Sequence, residues 1–184
     1  VTNETERIDS RFLEPACGDG NFLLQVLERK LISLTSSFRT NQYEFEKNSI
    51  VLIGSIYGID ILEDNTAEAR EKLFITFMKL YNFLFKDSPN EELIKSIKFI
   101  ISKNIIHGDA LTLKQPNSDK PIIFCEWAII NDKVKRRDFT MSDLLSYSGF
   151  EEGTLFSDTG EEAIIVKPIK EYPLTKFYKA YTTC

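Results

Sequence analysis

Short runs of consecutive apolar residues alternate along this chain with longer stretches whose apolar positions recur every three or four residues. Residues 11–14 read as a buried first strand, and 21 to about 37 as a helix. Phe22, Leu23, Val26, Leu27, Ile32 and Leu34 give that helix a broad apolar face. Residues 43–54 predict a shorter helix, although Ile50-Val51-Leu52-Ile53 fits a strand equally well. Residues 55–61 read as a second buried strand ending at an acid, Asp60. The longest helix is predicted over 63–86, where Ala69, Leu73, Phe77, Leu80 and Leu84 recur at helical spacing. Phe74, Met78, Tyr81 and Phe85 widen the stripe, which marks it as core rather than a cofactor surface. Ser88 as N-cap, Pro89 in the first turn and Glu91 closing a capping box predict a further helix to about 102. Residues 104–109 form a third short strand, again ending at an acid, Asp109.

This order is β-α-β-α-β. Crossovers longer than a dozen residues imply parallel pairing and an α/β layer architecture. Ligands in such sheets bind beyond the carboxyl ends of the strands, so Glu14, Asp60 and Asp109 are expected along one edge. After residue 111 the pattern changes. Residues 115–119 form a loop, and 122–130 with 134–139 flank Asn131-Asp132 as a β-hairpin. Thr140-Met141-Ser142-Asp143 resembles another capping box before Leu144-Leu145. Residues 151–162 are acidic and glycine-punctuated and read as an exposed loop. Residues 163–166 are a candidate strand and 174–181 a closing helix. Repeats and low-complexity linkers are absent. The organisation expected is residues 1–111 as one half and 112–184 as an insertion or the C-terminal part of the same domain.

A length of 184 residues, 42% hydrophobic and 28% charged, fits one globular domain. No apolar run approaches the roughly 20 residues that span a bilayer, and no signal-peptide pattern opens the chain. No membrane association is expected, and a cytoplasmic location is. Because the first residue is Val, the natural start is expected upstream. Cys17, Cys125 and Cys184 are widely spaced and odd in number, fitting neither a disulfide framework nor a zinc site. With one histidine in the chain, no metal site is expected. The net charge of −5 argues against gripping DNA unaided, since phosphates demand a basic surface. One basic cluster, Lys133-Val134-Lys135-Arg136-Arg137, reads first as a solvated strand or turn edge, and second as a phosphate contact in a larger complex. His107 reads as structural. Trp127 reads as a core hairpin aromatic in preference to a base-stacking platform.

The chemistry concentrates in Phe12-Leu13-Glu14-Pro15-Ala16-Cys17-Gly18-Asp19-Gly20-Asn21-Phe22-Leu23. Gly18 and Gly20 can take positive φ and let backbone amides approach a ligand. Leu23 stands where a dinucleotide fingerprint has its third glycine, so that motif is incomplete. The stretch resembles the cofactor motif of class I S-adenosylmethionine-dependent methyltransferases. It is most similar to the D-P-A-C-G-S-G-x-F-L form of the adenine-specific DNA methyltransferases of restriction–modification systems. Glu14 replaces the usual aspartate and Asp19 the usual serine. The resemblance implies a Rossmann-like sheet and S-adenosylmethionine as cofactor. It assigns Asp60 to the ribose, Asp109 to the neighbourhood of the adenine amine, and Glu14 with the Gly18–Gly20 turn to the methionine part. Pro15, Ala16, Cys17, Asp19, Asn21, Phe22, Ile61 and Ala110 complete the implied cofactor site.

An absence limits the resemblance. Those enzymes act on a flipped adenine through [D/N/S]-P-P-[Y/F/W], whose polar residue and backbone accept from the amine while the aromatic stacks. Here prolines stand at 15, 89, 116, 121, 168 and 173, and no two are adjacent. No catalytic residue is therefore assigned. The resemblance covers about residues 11–111, and the family's N-terminal helix is expected to be missing or reduced before Thr2. Residues 112–184 are expected to match the insertion that some large restriction–modification enzymes carry, in a chain that stops early. The expected function is an S-adenosylmethionine-binding subunit or fragment of a DNA adenine methyltransferase, expected to reach DNA through a partner subunit or missing domain, as part of a hetero-oligomer in the former case. Two alternatives stand beside it: a non-catalytic module of the same fold acting through a partner, and a methyltransferase for a small molecule or protein.

Overall fold

The computed structural model describes residues 7–143 and 167–183. It is a mixed α/β structure with a three-stranded parallel sheet and a separate antiparallel sheet. The parallel sheet has the order β1-β2-β3, formed by Phe12–Glu14, Ile56–Asp60 and Ile105–His107. Helices α1 (Asn21–Phe38) and α2 (Gln42–Gly54) connect β1 to β2, and α3 (Glu63–Phe85) and α4 (Glu91–Asn104) connect β2 to β3. Residues 50–53, which fit helix and strand equally by sequence, belong to α2. Asn41 caps that helix by accepting a hydrogen bond from the Glu44 amide.

Every residue of β2 is buried, as a central parallel strand requires. Ile56 and Ile105 enter the main core with Leu23 and Leu27 of α1, Leu73 and Phe77 of α3, and Ile97 and Ile101 of α4. Tyr57 and Ile59 enter a smaller cluster with Ile122, Phe124 and Met141. Gly58 lies under α1, where a Cβ would fall 2.7 Å from Leu23 Cδ1 and 3.0 Å from Cys17 Sγ.

Strands β4 (Ile123–Ile130) and β5 (Lys133–Thr140) form the expected hairpin. Asn131 and Asp132 take φ of 45° and 63°, as the tightest hairpin loop demands. Two short strands, β6 (Lys170–Glu171) and β7 (Thr175–Lys176), pair with β5. Trp127, Val134, Phe177 and Ala180 share the core of α1–α4, so residues before and after 111 pack around one interior. Trp127 donates to Asn104 Oδ1 at 3.0 Å and packs edge-on against Phe99, which makes it a core residue.

Two sequence expectations are corrected. The cap of α4 is Asn90, whose Oδ1 accepts from Leu93 N–H. Ser88 instead donates to Gln42 Oε1 at 2.7 Å, because the long side chain from α2 reaches across the turn. The stretch 174–181 is not one closing helix. Thr175–Lys176 is drawn into the sheet beside β5, and a 3₁₀ helix, Phe177–Thr182, follows. Of the second capping box, the Thr140 contact to Asp143 N–H is present at 3.0 Å. Leu144-Leu145, the acidic 151–162 stretch and the 163–166 strand lie outside the described residues.

Candidate functional site

Parallel pairing puts the carboxyl ends of β1, β2 and β3 on one edge, and Glu14, Asp60 and Asp109 all stand there. The loop after β1 is fixed by backbone first. Cys17 N–H donates to Ile59 O at 2.9 Å and Gly20 N–H to Cys17 O at 2.9 Å. Gly18 and Gly20 take φ of 53° and 86°, the left-handed region. Their surroundings differ. A Cβ on Gly20 would sit 2.8 Å from Ala69 Cβ on α3, whereas a Cβ on Gly18 would meet nothing within 4 Å. Gly20 is therefore a packing glycine, and Gly18 faces open space, so a ligand can come close to the main chain there.

Asp60 ties the loop to the sheet. Its Oδ2 accepts from Gly18 N–H at 2.9 Å, and its Oδ1 from Leu62 N–H at 2.9 Å and Asn65 Nδ2 at 3.1 Å. Burial works against the charge, but the bonds from Leu62, Asn65 and Gly18 outweigh it and hold the carboxyl below its usual range. The role is partly that of a turn organiser. A carboxylate offers about four lone-pair sites, so three donors leave room for one more.

Asp109 also organises its own turn: Oδ1 accepts from Leu111 N–H at 2.8 Å and Thr112 N–H at 3.4 Å. The Leu111 amide, then Thr112, lowers its pKa. The Thr112 side chain also bonds this carboxylate, so Asp109 is held mainly by its own turn. Asp19 is engaged differently, paired with Lys72 Nζ on α3 at 2.6 Å and accepting from Asn21 Nδ2 at 3.0 Å. Glu14 Oε1 reaches Ala16 N–H at 3.3 Å. Cys17 is buried, and desolvation, followed by the charge of Asp60, pushes its thiol up to about 11, so it is packing rather than a nucleophile. His107 Nε2 lies 3.0 Å from Ile61 O, a structural contact between strand ends.

The same edge carries exposed apolar surface. Phe22, Ile61, Leu62 and Leu111 are all exposed, Leu111 at 96%. Ile61 was expected in the site; Leu62 and Leu111 were not. Their signal was an apolar residue two positions beyond a strand-end acid. No side chain caps the N-terminus of α1, which follows the glycine turn. Asn65 and Lys72 carry no signal in the sequence, and Ala69 reads only as part of the apolar stripe of α3, because all three meet the loop only in the fold.

The site is an open edge. A groove of about 550 Å³ lies elsewhere, lined by Gln42, Tyr43, Glu46, Ser88, Pro89 and Asn90 among others. Its polar groups satisfy one another: Glu46 accepts from Tyr81 Oη at 2.6 Å, Gln42 Nε2 at 2.8 Å and Asn90 Nδ2 at 2.8 Å. That network straps the α3–α4 turn to α2. The spare acceptor site of Asp60 and exposed apolar groups instead coincide at the strand ends. Among the described residues no three of His, Cys, Asp and Glu are grouped to hold a metal ion, and no helix is long and apolar enough to cross a membrane.

No family model, no curated protein and no solved structure matches this chain.

Proposed function

We propose that this chain binds S-adenosylmethionine at the carboxyl edge of its parallel sheet and serves as the cofactor-binding part of a DNA adenine methyltransferase. The observation that carries the reading is the open space at Gly18, whose loop is held by the β2 acid and which shares the edge with Asp109 and exposed apolar residues. The groups on this edge suit the cofactor. Asp60 would accept from one ribose hydroxyl at its remaining lone-pair site, the Asp109 carboxylate from the adenine amine, and Phe22, Ile61, Leu62 and Leu111 would cover the base ring. Glu14, Pro15, Ala16, Asp19 and Asn21 would surround the methionine end, beside Gly18. Cys17, Gly20 and Ala110 would shape the backbone. When bound, the cofactor supplies an activated methyl group on sulfur.

Methyl transfer also requires groups that hold a flipped base, and the paired prolines that do this in the resembling enzymes are absent from the sequence. A partner subunit or a further domain would supply them and carry most of the contact with DNA. The net charge of −5 favours that division.

Titration calorimetry with S-adenosylmethionine tests the proposal. The native chain binds, and Gly18→Ala abolishes binding while keeping its circular dichroism, since the new methyl group enters open space. A folded native chain that releases no binding heat at several temperatures sinks the reading. Labelled methyl transfer to adenine-containing DNA then separates the alternatives. Transfer by this chain alone contradicts the assignment of catalysis to a partner. Binding without transfer, in every reconstituted mixture, leaves the non-catalytic module.

A further inference from the structure

The basic cluster on β5 is divided by the strand's alternation between two faces. Val134, Arg136 and Asp138 are buried, while Lys133, Lys135 and Arg137 lie on the outer face. Arg136 is consumed internally, paired with Asp138 at 2.8 Å and donating to the Thr183 carbonyl. The other three stand about 6.8 Å apart along one line.

Cross-strand register extends that line. Lys176 of β7 lies opposite Lys133, and Glu171 of β6 opposite Arg137. Glu126 of β4, also opposite Arg137, is held between Arg137 at 2.6 Å and Arg11 at 2.7 Å. On β4, Ala128 stands opposite Lys135 and the exposed Ile130 opposite Lys133. The face therefore carries five cations and two carboxylates, on a chain whose net charge is −5. Lys135 is paired with Glu171 at 2.9 Å, whereas among the described residues Lys133 and Lys176 make no ion pair, Lys176 lying over the Tyr178 ring.

We infer that this outer sheet face is a contact surface for the phosphate backbone of duplex DNA. A polyanion complements a basic strip on an otherwise acidic molecule, and a sheet face of this size touches a few phosphates rather than reading bases. The contact is weak and salt-dependent, which agrees with a chain that needs a partner to grip DNA. Charge and register mark the surface independently of the cofactor loop, and the choice of duplex DNA as the polyanion rests on the proposed function.

Fluorescence anisotropy with a labelled 20-base-pair duplex, between about 50 and 200 mM salt, tests it. Three lysine contacts contribute about 2.7 to the salt slope, or roughly a 40-fold loss of affinity across that range. Lys133→Gln/Lys135→Gln/Lys176→Gln should lose that part of the slope and bind at least about tenfold more weakly at the lower salt. Lys79→Gln/Lys86→Gln/Lys120→Gln makes the same charge change on exposed residues elsewhere and should bind nearly as the native chain does. Lys133→Gln/Lys176→Gln, which breaks no ion pair, should show an intermediate loss if the triple variant is poorly folded. Absence of binding by the native chain at the lower salt overturns the inference. So do equal losses in the two triple variants, or preferential binding to phosphatidylserine vesicles over the duplex.

Discussion

Replacing Asp60 by Asn tests the geometry of the site with a change of almost no volume. The carboxylate accepts three hydrogen bonds, one from the glycine loop and two from the start of α3. An amide keeps one acceptor oxygen, so its NH₂ group must face at least one N–H donor. If the oxygen serves Leu62 and Asn65, the amide opposes Gly18 N–H. A hydrogen bond to a charged group contributes about 1.5–3 kcal/mol. Asp60 is buried but sits at an edge near water, which places the expected loss at about 2 kcal/mol. For a chain of this size that is a fall of roughly 4–8 °C in Tm. Urea denaturation followed by circular dichroism measures the loss. The pH dependence supplies the internal check. The folded pKa of Asp60 lies below its unfolded value of about 3.9, so its contribution is complete above that pH. It is lost as pH falls through the lower folded value. Native and variant curves should therefore differ fully at pH 7 and converge toward pH 3. A difference below about 0.5 kcal/mol at pH 7 would refute the reasoning, because it is less than one neutral hydrogen bond contributes. A gap of equal size at both pH values would refute it too.

Three further outcomes are expected. Gly20→Ala should cost about 3 kcal/mol, from a left-handed φ plus overlap with the Ala69 backbone, and Gly18→Ala only about 1 kcal/mol; equal losses in urea melts would contradict the division of roles between them. Lys30→Met should cost about 3 kcal/mol and raise amide exchange around residues 8–12. Lys30 is fully buried and its three ammonium N–H groups are shared among four acceptors, the carbonyls of Arg7, Ile8 and Ser10 and Ser55 Oγ, so a melt unchanged within about 1 kcal/mol would be inconsistent with that network. Burial pushes the thiols of Cys17 and Cys125 up to about 11 and about 12. Thiol labelling mapped by mass spectrometry at pH 8 should therefore be more than about a hundredfold slower at both sites than in urea, and comparable rates would overturn their placement.

Much of the layout is visible in local pattern. Helices α1 and α3 and the three short strands follow from periodicity, and Asn131-Asp132 signals its own turn through conformational preference. Errors arose where a distant partner outbid a local one. Ser88 has cap chemistry, yet Gln42 from α2 takes its hydroxyl and leaves the cap to Asn90. Thr175–Lys176 has helical neighbours, yet the open edge of β5 offers backbone hydrogen bonds that a single turn cannot match. Lys30 sits among apolar positions of α1 like any surface lysine, and nothing nearby marks it as the pin for residues 7–10.

By itself the sequence determined the glycine turn after β1, the acids at the strand ends and the missing proline pair. These are local features, readable from spacing and from the conformational freedom of glycine. The tertiary structure alone decided how the two glycines divide their work, because only Ala69 on α3 distinguishes a packing position from an open one. It also decided that Asp60 holds the loop through Gly18, and that the basic cluster splits into a buried Arg136 and an outer row of cations. Each depends on groups tens of residues apart, whose meeting is set by burial of a shared core and not by any neighbour in the chain.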